Sequence, residues 1–322
     1  YHGCTLGALA LTGYGPLTEP FEPMMRAMPK IPAPRAYLDK LDPDDPATGL
    51  HYADMLEAAI LAEGPESVLA FIIEPIGGAS TGALVPPAGY MARVREICDR
   101  YGVLLIHDEV MTGGGRTGRF FGAEHWDVAP DIIALSKGFG AGYAPLGAMI
   151  AHDRLVDAVL DAGGFAHGFT YAGNPLACAA GLAVLEAIEA EGMMNNAARS
   201  GKALKTGLEE LMQRHELIGD VRGKGLLLAF ELVADRESMT PLPPGLNAFN
   251  RLVDIAYDNG LIIYARRSRG GYEGDHFLIC PPMVATLDHV GEILEVLDRS
   301  LTLFAQEIGD QWRSNGTMQA AD

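Results

Sequence analysis

Three short apolar runs, each followed by a charged side chain, constrain the fold of this chain more than any other feature. Residues 67–74, 103–107 and 131–135 are aliphatic and β-branched, and their apolar residues are continuous rather than alternating. Such strands are buried on both faces, which is typical of a parallel sheet covered by helices. Helical spacing over 87–101 separates the first two runs. The sequence therefore predicts an α/β fold with a mostly parallel sheet.

The pattern changes near residue 195, where fewer and more amphipathic strands follow a long helix. We expect a large domain over 1–192 and a smaller C-terminal α+β domain over 193–322. The first domain should also contain a strand over 146–150 and a helix over 175–191. The strands predicted for the second domain are 225–232, 261–264 and 276–280, and its helices are 195–214, 247–259 and 287–306.

Charged residues end the three apolar runs. Glu74 ends the first run, Asp108 follows the second and Lys137 comes just after the third. Ligands of a parallel sheet collect at the carboxyl ends of its strands, so these side chains should share one crevice. A lysine and a carboxylate suit pyridoxal 5′-phosphate (PLP), because the lysine forms an imine with its aldehyde and the carboxylate keeps the ring nitrogen protonated. The alternatives are a surface lysine at 137 and a helix cap or structural ion pair at 108.

Composition excludes some partners. The 322 residues carry a net charge of −18, which argues against nucleic acid or an anionic membrane as a partner. No apolar stretch is long enough to span a bilayer. The four cysteines are far apart and lack the spacing of metal ligands, so we expect no metal site, buried thiols and a cytoplasmic protein.

Five motifs, in order along the chain, carry a resemblance to a known family. They are YHG at 1–3, EPIGG at 74–78, HDEVMTGGGRTG at 107–118, PDIIALSKGFGAGYAPLGA at 130–148 and FTYAGNPLACAAGLA at 169–183. Together they resemble the class III (omega-type) PLP-dependent aminotransferases, most closely the amine:pyruvate type. The resemblance implies PLP fold type I, PLP as the cofactor and a homodimer.

Carried over by position, the resemblance assigns roles to individual residues. Lys137 would be the Schiff-base lysine, and Asp108 would hold the pyridine nitrogen of the cofactor. Val110 would pack on one face of the ring and Tyr1 on the other, since a stiff β-branched side chain and an aromatic ring both suit a flat ring. Thr170 would reach across the dimer interface to the cofactor phosphate of the neighbouring subunit.

Two further residues belong to the same motifs. The resemblance implies that His2 binds the cofactor beside Tyr1, and that Glu74 lies near the substrate side of the site. Simpler readings stay open for two of the assignments. Val110 could only fill space at the end of a strand, and Thr170 could be an ordinary turn residue.

The substrate carboxylate requires a cation, and the position of that cation in this sequence differs from its position in part of the family. Members that use ornithine or 4-aminobutyrate carry an arginine just before a Pro-Pro pair, where this chain has Leu278. The segment before it resembles the amine:pyruvate type, in which a mobile arginine lies upstream. The candidate substrate-binding residues are Arg266, Arg267 and Arg269. The alternative for each is a solvated basic turn.

The glycines at 113, 115 and 118 satisfy a dinucleotide-binding pattern and follow a strand. However, the next residues are Phe120, Phe121 and Gly122 rather than a long helix, and no acidic residue ends a second strand at the expected distance. We therefore expect a turn at the family's cofactor site rather than a nucleotide-binding loop.

The predicted activity is transfer of an amino group from an amine or omega-amino acid to a keto acid, with pyruvate as the expected acceptor. The alternatives are an aminomutase of the same fold and a truncated, non-catalytic subunit. Family members have a substantial segment before the Tyr-His-Gly motif, and its helix N-terminus cradles the cofactor phosphate. We therefore expect this sequence to lack the N-terminal part of the family fold and to retain PLP poorly.

Overall fold

The computed structural model describes residues 1–319, and side-chain packing through residue 309. Two sheets organise the chain. The first has the order β1 (Ala70–Ile73), β2 (Leu104–Asp108), β3 (Ile132–Leu135) and β4 (Ala148–Ala151). Its first three strands are parallel and β4 is antiparallel to β3. The prediction of an α/β fold with a mostly parallel sheet is confirmed.

Ten α-helices fall within the described residues. They are α1 (Leu6–Leu11), α2 (Gly15–Thr18), α3 (Ala36–Asp39), α4 (Pro46–Glu63), α5 (Tyr90–Tyr101), α6 (Asp153–Asp161), α7 (Pro175–Ala190), α8 (Met193–Arg214), α9 (Ala248–Asp258) and α10 (Leu287–Gln319). Short 3-10 helices occur at Glu19–Met24, Pro65–Ser67, Gly122–His125, Lys137–Phe139 and Pro244–Leu246.

Helices α4 and α5 cover one face of the first sheet. Met91, Val94 and Ile97 lie on one stripe of α5, as the sequence spacing predicts, and all three are fully buried against the sheet and α4. Burying each of these side chains stabilises the fold by about 1.5–3 kcal/mol. This core fixes the strands from behind, so their carboxyl ends are held rigidly.

The second sheet is antiparallel and lies in the C-terminal part of the chain. Its order is β5 (Ile218–Lys224), β6 (Leu227–Asp235), β9 (Glu273–Ile279) and β8 (Tyr264–Arg269), with β7 (Thr240–Pro241) paired to β6. Its core side chains pack against α8, α9 and α10, and the Phe230 and Phe277 rings stack with centroids 5.0 Å apart.

One strand of the second sheet is displaced from its prediction. The sequence places a strand at 261–264, but β8 begins at Tyr264 and runs to Arg269. Tyr264 pairs with Leu278, so residue 262 would have to pair near residue 280. Pro281 and Pro282 follow immediately and lack the N–H groups that would continue the ladder. The apolar run at 261–263 is therefore left outside the sheet.

Other expectations meet mixed outcomes. Cys98 is buried and Cys280 partly so, but Cys4 and Cys178 are exposed, so the prediction of four buried thiols is wrong. Cys4 lies in the bend before α1, and Cys178 lies in α7. The division into 1–192 and 193–322 stays a prediction, and its second part extends past the described residues. No helix in the described part of the chain combines the length and the apolar character that a bilayer span requires.

Candidate active site

A cavity of about 610 Å³ opens between the first and second sheets. Lys137, which follows the end of β3, lines this cavity, and so does Arg266 of β8. The other described residues that line it are apolar, aromatic or small, namely Tyr1, Tyr14, Leu17, Ala79, Ser80, Met111, Ile262, Ile263, Tyr264, Leu278 and Cys280. Among these described residues there is no aspartate or glutamate, so both charged groups on the wall are cations.

Lys137 has an unusual backbone. Its φ of 44° lies in the left-handed region, which is uncommon for a residue with a Cβ and costs about 1–3 kcal/mol. The loop at Gly113–Gly115 packs against the next residue, and a Cβ on Gly114 would lie 3.4 Å from the carbonyl carbon of Gly138. Surrounding chain therefore holds the lysine in a conformation that it would not adopt alone. Such strain collects at functional sites.

Asp108 ends β2 and is 5% exposed. Its Oδ1 accepts a hydrogen bond from the Val110 backbone N–H at 3.0 Å, and its Oδ2 lies 2.8 Å from His2 Nδ1. His2 is held in turn, because its backbone N–H donates to Thr12 Oγ1 at 3.0 Å. Each carboxylate oxygen thus has one donor among the described residues and keeps a free lone pair.

Glu74 follows β1 at the same edge of the sheet. Its Oε1 accepts a hydrogen bond from the Gly78 backbone N–H at 3.0 Å, and the side chain is 16% exposed. Burial raises the pKa of this carboxyl. The carboxylate thereby fixes the start of the loop that carries Ala79 and Ser80 into the cavity wall.

Glu109, the neighbour of Asp108, faces the opposite way and has a structural role. It is fully buried and accepts hydrogen bonds from the Gly122 and Ala123 backbone N–H groups at 2.8 Å each, and from the Thr112 hydroxyl. These bonds fold the glycine-rich segment 113–118 back on itself. No α-helix starts there in the described chain, so the structure agrees with the expected turn and not with a dinucleotide-binding loop.

The three candidate arginines of β8 point to different places. Arg266 lies at the cavity, and its Nε donates to the Tyr264 hydroxyl at 2.7 Å. Arg267 donates to Asp275 at 3.2 Å and lies over the Phe249 ring. Arg269 donates to the Met239 carbonyl at 2.6 Å and approaches buried Glu231. Alternation along the strand therefore brings only one of the three to the cavity with Lys137.

Thr170 is not brought to this cavity. It is exposed, in a segment whose Phe169 and Tyr171 are also exposed. Tyr1 lies on the cavity wall. His2 and Val110 contact Asp108, and their sequence neighbours Tyr1 and Met111 line the cavity. Among the predicted site residues, Tyr1, Lys137 and Arg266 line the cavity, His2 and Val110 are bonded to Asp108, and Glu74 is bonded to the loop that enters the cavity wall. Thr170, Arg267 and Arg269 are not brought to it.

Sequence reasoning missed most of the apolar wall. Tyr14 and Leu17 come from the turn and short helix α2, Ile262 comes from the run just before β8, and Tyr264 is the first residue of β8. No motif marks these positions. The one available signal was the cluster of aromatic and aliphatic residues before the arginines at 266–269, which the displaced strand prediction hid.

The residue set fits a PLP cofactor. Lys137 shares its cavity wall with no described carboxylate, so its amine is available for a covalent bond to an aldehyde. Asp108 is a buried carboxylate with free lone pairs, which suits a protonated ring nitrogen. The two residues lie after neighbouring strands, since Asp108 pairs in register with Ala134 of β3.

Comparisons with known proteins identify the family of this chain. The model of the family described as aminotransferase class-III matches residues 1–301. The chain is 38% identical to taurine–pyruvate aminotransferase of Bilophila wadsworthia over 96% of its length and 68% of that protein. It is 37% identical to an uncharacterized aminotransferase of Bacillus subtilis over 94% of its length and 68% of that protein.

Solved structures give the same answer. An amine transaminase from an uncultivated Pseudomonas species, in a PLP-bound form, matches with a TM-score of 0.85 and 38% identity over 94% of this chain and 67% of that one. The chain belongs to the class III aminotransferase family. It is a PLP-dependent aminotransferase with PLP fold type I.

Proposed function

We propose that the enzyme moves an amino group from an amine or omega-amino acid to pyruvate. One observation carries the proposal, which is that Lys137 and Arg266 share a cavity whose other described lining residues are apolar, aromatic or small. An apolar wall accepts the body of an amine donor, and one guanidinium accepts the carboxylate of a small keto acid. The name of the Bilophila relative, which pairs taurine with pyruvate, supports the same acceptor.

In this proposal Lys137 has two tasks. Its Nζ binds the cofactor covalently, and once released it moves the proton at the reacting carbon of the substrate. PLP supplies an electron sink for the charge that develops at that carbon. The left-handed backbone of Lys137 supports this part of the proposal, because it directs a lysine to the cavity at an energetic cost.

Asp108 and His2 act together on the cofactor ring. The Asp108 carboxylate is to hold a proton on the ring nitrogen, and the 2.8 Å bond from His2 keeps that carboxylate oriented. Tyr1 and Val110 are to lie on the two faces of the ring, and Glu74 near the substrate. The small exposure of Asp108 supports its assignment, since a buried carboxylate interacts more strongly with a cation than an exposed one.

Arg266 is to bind the carboxylate of the keto acid. Arginine suits this task because its planar guanidinium can form two parallel hydrogen bonds to a carboxylate. Among Arg266, Arg267 and Arg269, the first is the one whose position on the cavity wall supports the assignment. When an uncharged amine occupies the cavity, the guanidinium can remain on the Tyr264 hydroxyl and ring.

We also propose a homodimer in which Thr170 contacts the cofactor phosphate of the partner subunit. The segment around it exposes large apolar side chains, with Phe169 89% exposed. Exposed apolar patches mark interaction surfaces. Size measurement in solution, followed by a Thr170→Val variant assayed for cofactor retention, tests both halves of this proposal.

A donor panel tests the proposed function. Aromatic amines, taurine and omega-amino acids are incubated with pyruvate or with 2-oxoglutarate, and alanine or glutamate is measured. We expect alanine with several donors and an absolute requirement for a keto acid. An isomer of the donor that forms without any keto acid would instead indicate an aminomutase. Glutamate without alanine would contradict pyruvate as the acceptor.

A further inference from the structure

We propose that Arg222, Glu231 and His276, here called the polar clamp, position the two walls of the substrate cavity. The clamp is built on β5, β6 and β9 of the second sheet, and its three residues are not among the described residues that line the cavity. It instead holds the loop 78–82 and strand β8. The clamp residues are thus positioning residues for substrate binding, an inference that rests on the proposed location of the substrate in this cavity.

Arg222 joins the second sheet to the loop. It is 7% exposed, and its Nε donates to the Gly82 carbonyl at 2.6 Å while its Nη2 donates to the Thr81 carbonyl at 3.1 Å. Nη2 also lies 2.9 Å from Glu231 Oε2. A Cβ on Gly82 would lie 2.7 Å from this guanidinium, so the loop backbone rests directly on it. The arginine therefore fixes the loop through the backbone rather than through side chains that could adapt.

Glu231 joins the same point to β8. It is fully buried in strand β6, and its Oε2 accepts hydrogen bonds from Ser268 Oγ at 2.9 Å and from the Tyr37 hydroxyl at 2.8 Å. Ser268 stands two residues after Arg266 on the same face of β8. The carboxylate thus sets the position of the strand that presents Arg266 to the cavity.

His276 supplies the third contact. Its ring is fully buried, and its Nε2 donates to the Ala79 carbonyl at 2.9 Å, which requires a proton on Nε2. Burial lowers the pKa of this imidazole to about 3, so the ring stays neutral at ordinary pH. His276 pairs in register with Arg266, so one residue contacts the loop and is cross-strand neighbour to the arginine.

The geometry makes the clamp more than a stabilising ion pair. Replacing a buried ion pair by apolar residues of similar size is often neutral or stabilising, so stability alone is a weak reason for such a group. Here three clamp bonds, two from Arg222 and one from His276, end on the loop that carries Ala79 and Ser80, and Glu231 bonds Ser268 on the strand that carries Arg266. The remaining bonds go to Tyr37, to Asp220 and between Arg222 and Glu231. Both the loop and the strand line this cavity, so their separation determines how a bound substrate is oriented.

The first experiment compares two arginines with the same chemistry. Arg222→Lys in the PLP-loaded enzyme removes donors to the loop carbonyls. Arg236→Lys is the matched control, because Arg236 also donates to backbone carbonyls of the second domain, those of Ile218, Met212 and His215, but lies away from the loop. Both variants should lower Tm. We expect only Arg222→Lys to raise KM, by about tenfold for the keto acid, with kcat within about threefold.

A second pair of variants keeps the test decisive if Arg222→Lys does not fold. His276→Gln retains a donor at the reach of Nε2, and His276→Met has the same length without a donor. His276→Met should raise KM several-fold, and His276→Gln should restore most of the wild-type value. If the His276 ring is purely structural, both variants should lower Tm without this difference in KM.

The outcomes separate the clamp from the proposed function. Unchanged KM values in Arg222→Lys and His276→Met, with a fall in Tm like that of Arg236→Lys, would overturn the clamp. If the wild-type enzyme produces no alanine from pyruvate, the proposed acceptor is wrong. The clamp is then decided on the KM of the donor amine and of the keto acid that the enzyme does accept.

Discussion

Replacing Asp108 by asparagine tests the central assignment of the site. The change is nearly isosteric, and the amide oxygen can still accept the 3.0 Å bond from the Val110 N–H, so we expect the fold to survive. The negative charge is lost, and with it the group proposed to keep the ring nitrogen protonated. Removing one preorganised electrostatic group from an active site costs about 2.7–4 kcal/mol, or roughly 10²–10³ in rate. We expect kcat to fall by at least this factor.

The assay is a single-turnover half-reaction, in which an amine donor converts the cofactor and absorbance follows the change. Glu109→Gln is the matched control, because Glu109 is the adjacent residue and undergoes the same carboxylate-to-amide change. Its oxygens accept three hydrogen bonds from the loop, so the control should lower the unfolding free energy by about 1–3 kcal/mol and change the rate only slightly. Near-normal turnover of Asp108→Asn with bound cofactor would show that Asp108 is not the ring partner.

Three further experiments have direct readouts. Borohydride should fix the cofactor to a peptide containing Lys137, and an adduct on Lys224 would contradict the assignment. Arg266→Ala should raise KM for pyruvate by roughly 10–100-fold, since a charged hydrogen bond contributes about 1.5–3 kcal/mol, while Arg267→Ala leaves it within twofold. Burial lowers the pKa of His107 from 6.5 to about 4. The contribution of this group to the free energy of unfolding is therefore fully present above pH 6.5 and is lost as the pH falls toward 4, because the unfolded chain binds the proton first. His107→Leu should remove about 2 kcal/mol of that acid loss, measured by urea unfolding at pH 7 and 4.5, and an unchanged pH dependence would contradict this cause.

The first sheet could be predicted from sequence because its strands are buried on both faces. Continuous apolar runs then mark each strand, and the structure places β1, β2 and β3 within a few residues of the predictions. In the second sheet, the same reasoning does not predict β5. Asp220, Arg222 and Lys224 interrupt its apolar residues, and the sequence around Arg222 resembles a turn. The strand forms because β6 pairs along its whole length.

The site was predictable to the extent that it follows topology. Lys137 and Asp108 come after neighbouring strands, and that rule needs only the order of the runs. Their chemical roles stay predictions. The choice among the β8 arginines needed the register with β9, which no local pattern contains. The polar clamp was beyond sequence reasoning, because it joins residues more than a hundred positions apart through backbone carbonyls.

The sign of charge at the cavity opposes that of the whole chain, and this follows from the proposed chemistry. The chain carries a net charge of −18, yet the charged side chains on the described cavity wall are Lys137 and Arg266. A keto acid and a phosphorylated cofactor are both anions, so the surrounding field opposes their approach while the wall attracts them at short range. At physiological salt the Debye length is about 8 Å, so distant acidic residues are largely screened and the two cations of the wall dominate binding. Raising the salt concentration should therefore weaken the binding of pyruvate at Arg266 more than it speeds the association of pyruvate with the acidic chain, so KM for pyruvate should rise. A KM that instead falls continuously with salt would place the controlling charge elsewhere.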